Sequence, residues 1–479
     1  MNHFRLLSAQ THQRGERSPY GESRPIYVDL SKAGGGTGSA ISVIIGSNGT
    51  GKSRLLGDIA ESFLHLSGSE KRKRRMPLDS LAYEINGRFF QAGYSQESFF
   101  SLPVREIVHT RVIAVAMTPF DKFPLGPASY PEKADQPDFY HYIGMRDRMN
   151  RASVTALLYR SIEQLMRRRD GGSRSRIRGV FDLLGYEPVM TVGLRVDLNS
   201  HDMERAASKQ LSFMDFLGRG FMKDRLGESL RSGRISESDL RNALESVSKY
   251  VISNRRIRIE INLDDPRSEF IDFDDFAFLR RVGLLRLESL EVRKLSGERI
   301  DLRSASSGEI SIFTTFVAIS SVLEDGSLVL IDEPETSLHP EWQKAFLDLL
   351  IRTFSAFEGC HFILSTHSPL IVGDTPIASS VYSMDQGQAI DGSEVSQKSP
   401  DYLLATAFHA ATPTNSFVRD EIIRALRLAA DGEQETEEYA ATIENLLGIL
   451  PALDENESVA ALIRELAQGA RRLDSLVIS

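Results

Sequence analysis

The chain has one cysteine, Cys360, in 479 residues. No disulfide framework can form from it, which excludes the small stapled secreted class and fits a reducing, cytoplasmic setting. No apolar run approaches the ~20 residues of a membrane-spanning helix, so no membrane partner is expected. The first residues, MNHFRLLSAQTHQR, lack the apolar core of a secretory signal. Sustained heptads are missing, so no long coiled-coil arm is expected. There is no internal repeat and no His-Asn-His metal finger. What remains is an ordinary globular composition, 41% hydrophobic and 26% charged. The length allows roughly two to four domains.

Charge is unevenly spread. The formal net charge is −9, and residues 371–479 carry 18 acidic against 7 basic side chains, a net of −11. That region is a poor match for nucleic acid. Basic tracts lie elsewhere, at Lys71–Arg75 and at Arg167, Arg168, Arg169, Arg174, Arg176 and Arg178. They are candidate phosphate contacts or a solvated face, and no aromatic interleaving adds base stacking.

The organising stretch is Ile41–Leu56, ISVIIGSNGTGKSRLL. Val43, Ile44 and Ile45 read as a buried strand, and a helix-forming run begins near Lys52. Between them Gly46, Ser47, Asn48, Gly49, Thr50, Gly51, Lys52 and Ser53 form G-x-x-x-x-G-K-S, with Arg54 just behind. This is the phosphate-binding loop pattern. Its glycines let the backbone turn tightly and aim N–H groups at phosphate oxygens. The helix start adds unpaired N–H groups and a positive dipole end. Lys52 is expected to reach the β- and γ-phosphates of ATP, and Ser53 to bind Mg²⁺.

A second apolar strand, Leu328–Ile331, ends in Asp332 and Glu333. Asp332 is placed to hold the Mg²⁺ shell. Glu333, one residue on, is suited to polarise an attacking water as general base. Pro334–Pro340, PETSLHP, follows directly. Leu364-Ser365-Thr366-His367-Ser368-Pro369 sets a histidine just past the next strand. Upstream, Ser306-Ser307-Gly308-Glu309 opens a helix whose N-terminus offers hydroxyls and N–H groups to another phosphate. Each of these short motifs alone reads as a strand end or a helix cap. Five in this order do not.

With these motifs the chain resembles the ABC-class ATPases of the SMC and RecF kind. The carriers are G-x-N-G-x-G-K-S, S-S-G-E, D-E-P-E-x-S-L-H-P and S-T-H-S-P, over about Phe4–Ile371. The last two look most like the overcoming-lysogenisation-defect (OLD) branch and its antiphage relatives. Thr118-Pro119-Phe120-Asp121-Lys122-Phe123-Pro124 is similar to ATPases of Septu and retron-linked defence operons. The resemblance implies an α/β P-loop fold of ABC-head type: a mixed central sheet flanked by helices. Local patterning adds a hairpin over Leu81–Gln91 turning at Asn86-Gly87 and a mainly helical insert lobe, with helices at Ala152–Arg168 and Glu237–Tyr250. Strands return at Arg256–Leu263 and Leu284–Leu295, and the C-terminal region is helical, as at Phe417–Ala430 and Glu437–Leu450. The expected divisions are 1–125, 126–283, 284–372 and 373–479. The resemblance also implies a head-to-head dimer or higher homo-oligomer. Each ATP would lie between Gly46–Ser53 of one protomer and Ser306–Glu309 of the other. Glu333 would be the base, and His367 would contact the γ-phosphate or its water.

Two departures stand out. The family glutamine after the strand Val112–Met117 is replaced by Thr118-Pro119, leaving Thr118 or Asp121 as substitutes. The signature lacks its first leucine and carries Glu309 where transporters carry glutamine. Ser53 and Ser306 lie 253 residues apart, too far for a transporter's compact lobe. A Toprim nuclease needs strand-borne carboxylate clusters, and the segment after Leu370 reads as Glu-rich helix instead. The expectation is an ATPase that regulates a separate effector such as a nuclease in antiphage defence. The alternative is a RecF- or SMC-like DNA-maintenance ATPase that binds DNA itself.

Overall fold

The computed structural model describes residues 3–11, 25–32, 38–67, 76–93, 110–125, 139–146, 158, 162, 177–182, 184–198, 230, 235–253, 255–265, 273–410, 412, 414–450, 453 and 458–477. The chain divides into two compact units, Met1–Tyr142 with Glu324–Ser479, and Ile143–Leu323.

The first unit is built on a seven-stranded sheet. Its order is β16 (Gln388–Asp391), β15 (Ser380–Ser383), β3 (Ala40–Ile45), β14 (His361–Thr366), β13 (Leu328–Asp332), β6 (Val112–Ala116) and β7 (Tyr140–Gly144). The pairs from β15 to β6 are parallel, and β16 turns back antiparallel. β3, β6, β13 and β14 are buried at every residue. Helices cover both faces of such a sheet, which explains continuous apolar runs in place of alternation.

A second sheet, antiparallel, has the order β2 (Tyr27–Asp29), β1 (Phe4–Thr11), β4 (Leu78–Ile85) and β5 (Arg88–Ala92). The expected Asn86-Gly87 hairpin joins its last two strands, both residues at positive φ. Helix α1 (Lys52–Leu66) shares a core with both sheets: Leu55, Leu56, Ile59 and Phe63 meet Phe4, Tyr83, Ile44 and Leu330. Phe63 meets the rings of Phe4 and Tyr83 edge-on at 5.6 and 5.3 Å.

The two sheets are also joined by polar bonds. Arg5 donates to the Cys360 and Gly38 carbonyls at 2.9 and 2.6 Å. The Leu6 amide donates to His361 Nδ1 at 3.0 Å, and His361 Nε2 meets Ser42 Oγ at 2.9 Å. Accepting at Nδ1 leaves the ring proton on Nε2, so His361 is neutral. Complete burial, with the Arg5 charge adding, pushes its pKa down to about 3.

The second unit departs from expectation. The insert 126–283 was expected to be mainly helical, with strands only at Arg256–Leu263 and, past its end, Leu284–Leu295; the structure bears out both strands and adds others, among them the long Tyr186–Val196. They form a five-stranded sheet of order β12 (Arg299–Asp301), β11 (Leu285–Lys294), β8 (Tyr186–Val196), β10 (Arg256–Asn262) and β9 (Val251–Ser253). Its strand pairs are antiparallel. Strand β8 buries Tyr186, Met190, Val192, Leu194 and Val196 while the residues between stay partly open. That is period-two patterning, hidden within a charged, helix-rich stretch. The buried face packs on α2 (Glu237–Ser248), α3 (Phe273–Arg281) and α4 (Ser307–Val322) through Leu244, Phe276 and Phe313. Arg256–Glu288 and Arg258–Glu291 ion pairs cross the outer face at 3.0 and 2.6 Å. The expected helix 152–168 lies almost wholly outside the described residues. β11, β12 and α4 group with this compact unit, and the first unit resumes at Glu324.

After β13 come α5 (Pro340–Phe354), β14 and α6 (Pro369–Gly373). The segment beyond 372 was expected to be helical. It first supplies β15 and β16 to the central sheet, and only then α7 (Pro400–Thr406), α8 (Ser416–Ala430), α9 (Glu437–Ile449) and α10 (Ser458–Val477). Asn415 and Thr436 cap α8 and α9. Val418, Ala425, Leu446, Ile449 and Ile463 form the shared helical core. Among the described residues no helix is long and apolar enough to cross a membrane.

The His361 environment sets a pH dependence. Its ordinary value of 6.5 lies above the folded value of about 3, so between these the unfolded chain binds more protons. Stability is whole above pH 6.5 and falls toward pH 3 by up to about 1.4 kcal/mol per pH unit from this group. A His361→Gln variant, less stable at pH 7.5, is expected to close the gap to wild type as pH drops, measured by urea unfolding.

Candidate nucleotide site

Parallel register brings the site together. Asp332 pairs with Ser365 on one side and Ala116 on the other. Thr366 pairs with Ile45, and Ile45 with Ser383. Five strands thus end level, and their following loops converge at the carboxyl edge, where open α/β sheets bind ligands.

The loop after β3 turns through Gly46, Gly49 (φ +86°) and Gly51 (φ +99°) before α1 begins. Gly51 sits in the left-handed region and gives α1 no side-chain cap, leaving its first amides to another partner. Ser47, Asn48 and Gly49 are exposed. Thr50 Oγ1 donates back to the Ser47 carbonyl at 2.9 Å. Arg54 is half-exposed, 3.8 Å from Asp58 one turn on.

Lys52 is 3% exposed. Its ammonium donates to the Gly46 and Ser47 carbonyls at 2.8 and 2.9 Å and meets His367 Nδ1 at 3.2 Å. His367 Nε2 lies 3.2 Å from Glu333 Oε1. Because the ammonium can only donate, His367 accepts at Nδ1 and donates from Nε2 to Glu333. Lys52, His367 and Glu333 form one polar chain. Burial pushes the Lys52 pKa below its ordinary value, against the pull of Glu333, Asp385, Glu335 and Asp332. The His367 hydrogen bond holds Glu333 below the ordinary carboxylate range, against partial burial. Glu333 takes φ +46°, with its amide bonded to the Ser365 carbonyl at 3.0 Å. The turn aims it away from the strand direction.

Asp332 is 3% exposed and accepts from Ser365 Oγ at 2.5 Å and from the Ser53 hydroxyl. Burial raises its pKa to about 6, with Ser365 and Ser53 opposing and the Glu333 and Asp121 charges adding. A buried carboxylate beside a hydroxyl is a pair of hard oxygen donors. It fits Mg²⁺, which takes one or two protein oxygens and keeps waters or phosphates.

Asp121 is also placed at this edge, 4% exposed. It accepts from the Phe123 amide at 3.0 Å and the Tyr142 hydroxyl at 2.7 Å. Of the two substitutes for the missing glutamine, Asp121 is the one whose charge reaches Asp332. Among the described residues Thr118 accepts from the Phe120 amide, at 3.4 Å.

Two residues at the edge were given no role by the sequence. Glu335 Oε1 accepts the His367 amide at 2.5 Å, while its Oε2 is buried with no hydrogen-bond partner among the described residues. Burial raises its pKa. The second glutamate of D-E-P-E was its only signal. Asp385 accepts from Ser47 N and Oγ, both at 2.7 Å. Nothing in the sequence marked it, because it follows a strand beyond the expected end of the head.

The Ser306–Glu309 segment belongs to the second unit, whereas the loop and Asp332 belong to the first. Ser306 caps α4 and Glu309 bonds back: Ser306 N and Oγ donate to Glu309 Oε2 at 3.0 and 2.8 Å, and Glu309 N donates to Ser306 Oγ at 3.2 Å. This is a capping box. Tyr186 also donates to Glu309, at 3.1 Å. Burial works against the Glu309 charge, yet the Ser306 and Tyr186 bonds outweigh it and hold its pKa low. Ser307 stays exposed at the helix mouth. Of the basic tracts, Lys71–Arg75 and Arg167 to Arg176 lie outside the described residues. Arg178 bonds Asp264.

Strand order, phosphate loop and the parallel register define a P-loop fold of the ABC-head type. A family described as "AAA domain, putative AbiEii toxin, Type IV TA system" matches residues 206–373, about a third of the chain. Protein ea59 of Escherichia phage lambda is 39% identical over 71 residues, 15% of this chain and 13% of that protein. Retron Vc95 probable ATPase, from Vibrio cholerae serotype O1 biovar El Tor, is 42% identical over 55 residues, 12% and 10% of the two chains. The matches span about a tenth of the length of these curated relatives. Among solved structures, an SMC head domain from Pyrococcus furiosus bound to the ScpA C-terminal domain is similar at 11% identity and a TM-score of 0.31, covering 82% of this chain and 98% of that one. For the SMC head domain from Thermotoga maritima the values are 14%, 0.30, 79% and 94%.

Gly57 sets the distance between α1 and the Asp121 loop. A Cβ there would meet the Lys122 carbonyl at 2.5 Å. Gly57→Ala is therefore expected to cost about 1–3 kcal/mol, because backbone rather than a side-chain tip must move. Denaturant unfolding measures the loss.

Proposed function

We propose that the chain binds and hydrolyses ATP as a switch whose closed form is a dimer, and that it regulates a separate effector. The observation that carries the nucleotide part is the Lys52–His367–Glu333 chain, set beside Asp332 and Ser53 at the carboxyl edge. The loop amides and Lys52 receive the β- and γ-phosphates. Ser53 and Asp332 would hold Mg²⁺, which neutralises phosphate charge when bound. Glu333, kept ionised by its histidine, takes the proton of the attacking water. His367 orients that carboxylate and stands next to the γ-phosphate. Asp121 replaces the absent glutamine. The reaction converts ATP and water to ADP and phosphate.

Ser306–Glu309 would complete the pocket of a second copy. Its capping box takes the Glu309 amide and leaves the Ser307 hydroxyl and the Ser307 and Gly308 amides to meet a γ-phosphate across the dimer. Hydrolysis then removes the group that bridges the two heads. Short stretches of similarity to a retron ATPase support a role in bacterial antiphage defence, with a nuclease as a fitting effector. The acidic C-terminal helices, with Ile423 and Leu426 exposed on α8, offer a docking face for it.

Lys52→Ala is expected to weaken nucleotide binding at least hundredfold in equilibrium binding, since the buried cation is lost. Glu333→Gln keeps binding and loses turnover by about 10²-fold or more. In sedimentation velocity this variant should shift to dimer with MgATP. A monomer under those conditions would sink the sandwich.

Ser307→Arg should bind ATP as wild type does but fail to hydrolyse it. Mixed with Lys52→Ala protein, it can form one pocket in which both halves are intact and one in which both are damaged. The mixture should therefore regain activity, up to about half that of the wild-type protein per dimer. Complete silence of that mixture would argue against completion in trans.

A further inference from the structure

The turn between β15 and β16 touches two parts of the molecule at once. Parallel pairing of β15 with β3 runs to the rim of the phosphate loop, where the Met384 amide donates to the Ile45 carbonyl at 2.8 Å. The next residue, Asp385, takes both Ser47 donors. Gly46 lets the turn this close: a Cβ on it would meet Met384 Cβ at 3.0 Å. Asp385 also pulls electrostatically on Lys52.

Gln386 points the other way. Its Nε2 donates to the Thr406 carbonyl at the end of α7, at 3.2 Å, and to the ring Nε2 of His409. His409 holds φ +47°, and its Nδ1 is buried without a partner among the described residues. The turn itself is closed by Gly387, φ +67°, whose amide bonds the Ser383 carbonyl at 2.8 Å. Adjacent side chains on a tight turn cannot move independently, because two residues share one short backbone arc.

We propose that this turn is a coupling element. Asp385 is a positioning residue that sets the phosphate loop through Ser47. Gln386 ties the same turn to the start of the C-terminal helices. Nucleotide at the loop and the placement of residues 400–410 are thereby linked equilibria, each biasing the other by the same factor. A protein seated on the C-terminal helices would tune ATP affinity by this path, and ATP would tune its docking. The inference rests on the nucleotide reading above.

The test uses the full chain with MgATP as probe. In wild type, MgATP should slow amide exchange both at residues 46–53 and at residues 400–410. In Gln386→Ala the loop should still be protected, residues 400–410 should not respond, and the Kd should rise about fivefold. Asp385→Ala should uncouple likewise, and the double variant should be no worse than Asp385→Ala alone. Protection at 46–53 with no response at 400–410 in wild type overturns the coupling and leaves the ATP site standing. So does a Gln386→Ala chain that responds as wild type does. Absence of protection at 46–53 in wild type removes the nucleotide reading and the coupling with it. If Asp385→Ala does not fold, wild type and Gln386→Ala decide the matter.

Discussion

Parallel pairing from β15 across to β6 ends five strands at one level, and the chemistry of the first unit follows from that register. Ile45 leads into the phosphate loop, Thr366 into His367, Asp332 into Glu333, Ala116 toward Asp121 and Ser383 into Asp385. A slip of one residue in any strand would turn its side chains to the other face and carry its loop away. The continuous burial of β3, β13 and β14 resists such a slip, since each residue is packed from both sides.

The second constraint is charge. Asp332, Glu333 and Glu335 crowd one edge, with Asp121 and Asp385 near them and Lys52 as the buried cation among them. Burial lifts Asp332 and Glu335, while His367 keeps Glu333 low. Neighbouring carboxylates are thus separated in proton affinity by their partners. The orphan Oε2 of Glu335 belongs to the same imbalance.

Much of this was legible in residue order. Glycine spacing in Gly46–Gly51 requires a backbone that only glycine adopts easily, and the positive φ values bear that out. The Asn86-Gly87 hairpin, the apolar run before Asp332 and the helices Ser416–Ala430 and Glu437–Ile449 also stand close to where local pattern put them. Strand β8 was missed because Pro188 and Val189 blur its alternation, and it lies in a charged stretch rich in helix formers. Strands β15 and β16 were missed because four-residue strands have too little length for a period to be visible. Asp121 could not be chosen over Thr118 until the Tyr142 hydroxyl and the Asp332 charge were found beside it.

Residue order alone determined the phosphate loop, the paired acids, the histidine after β14 and the cap at Ser306, because each depends on a few neighbouring residues and their backbone preferences. Tertiary structure alone decided that Lys52 meets His367, 315 positions away in sequence, and that Asp385 clasps Ser47 from 338 positions away. It also divided the chain so that Ser306–Glu309 falls in a different unit from the loop. The physical reason is that such contacts are made by strand pairing and burial, whose partners lie far apart along the chain and leave no local periodic trace.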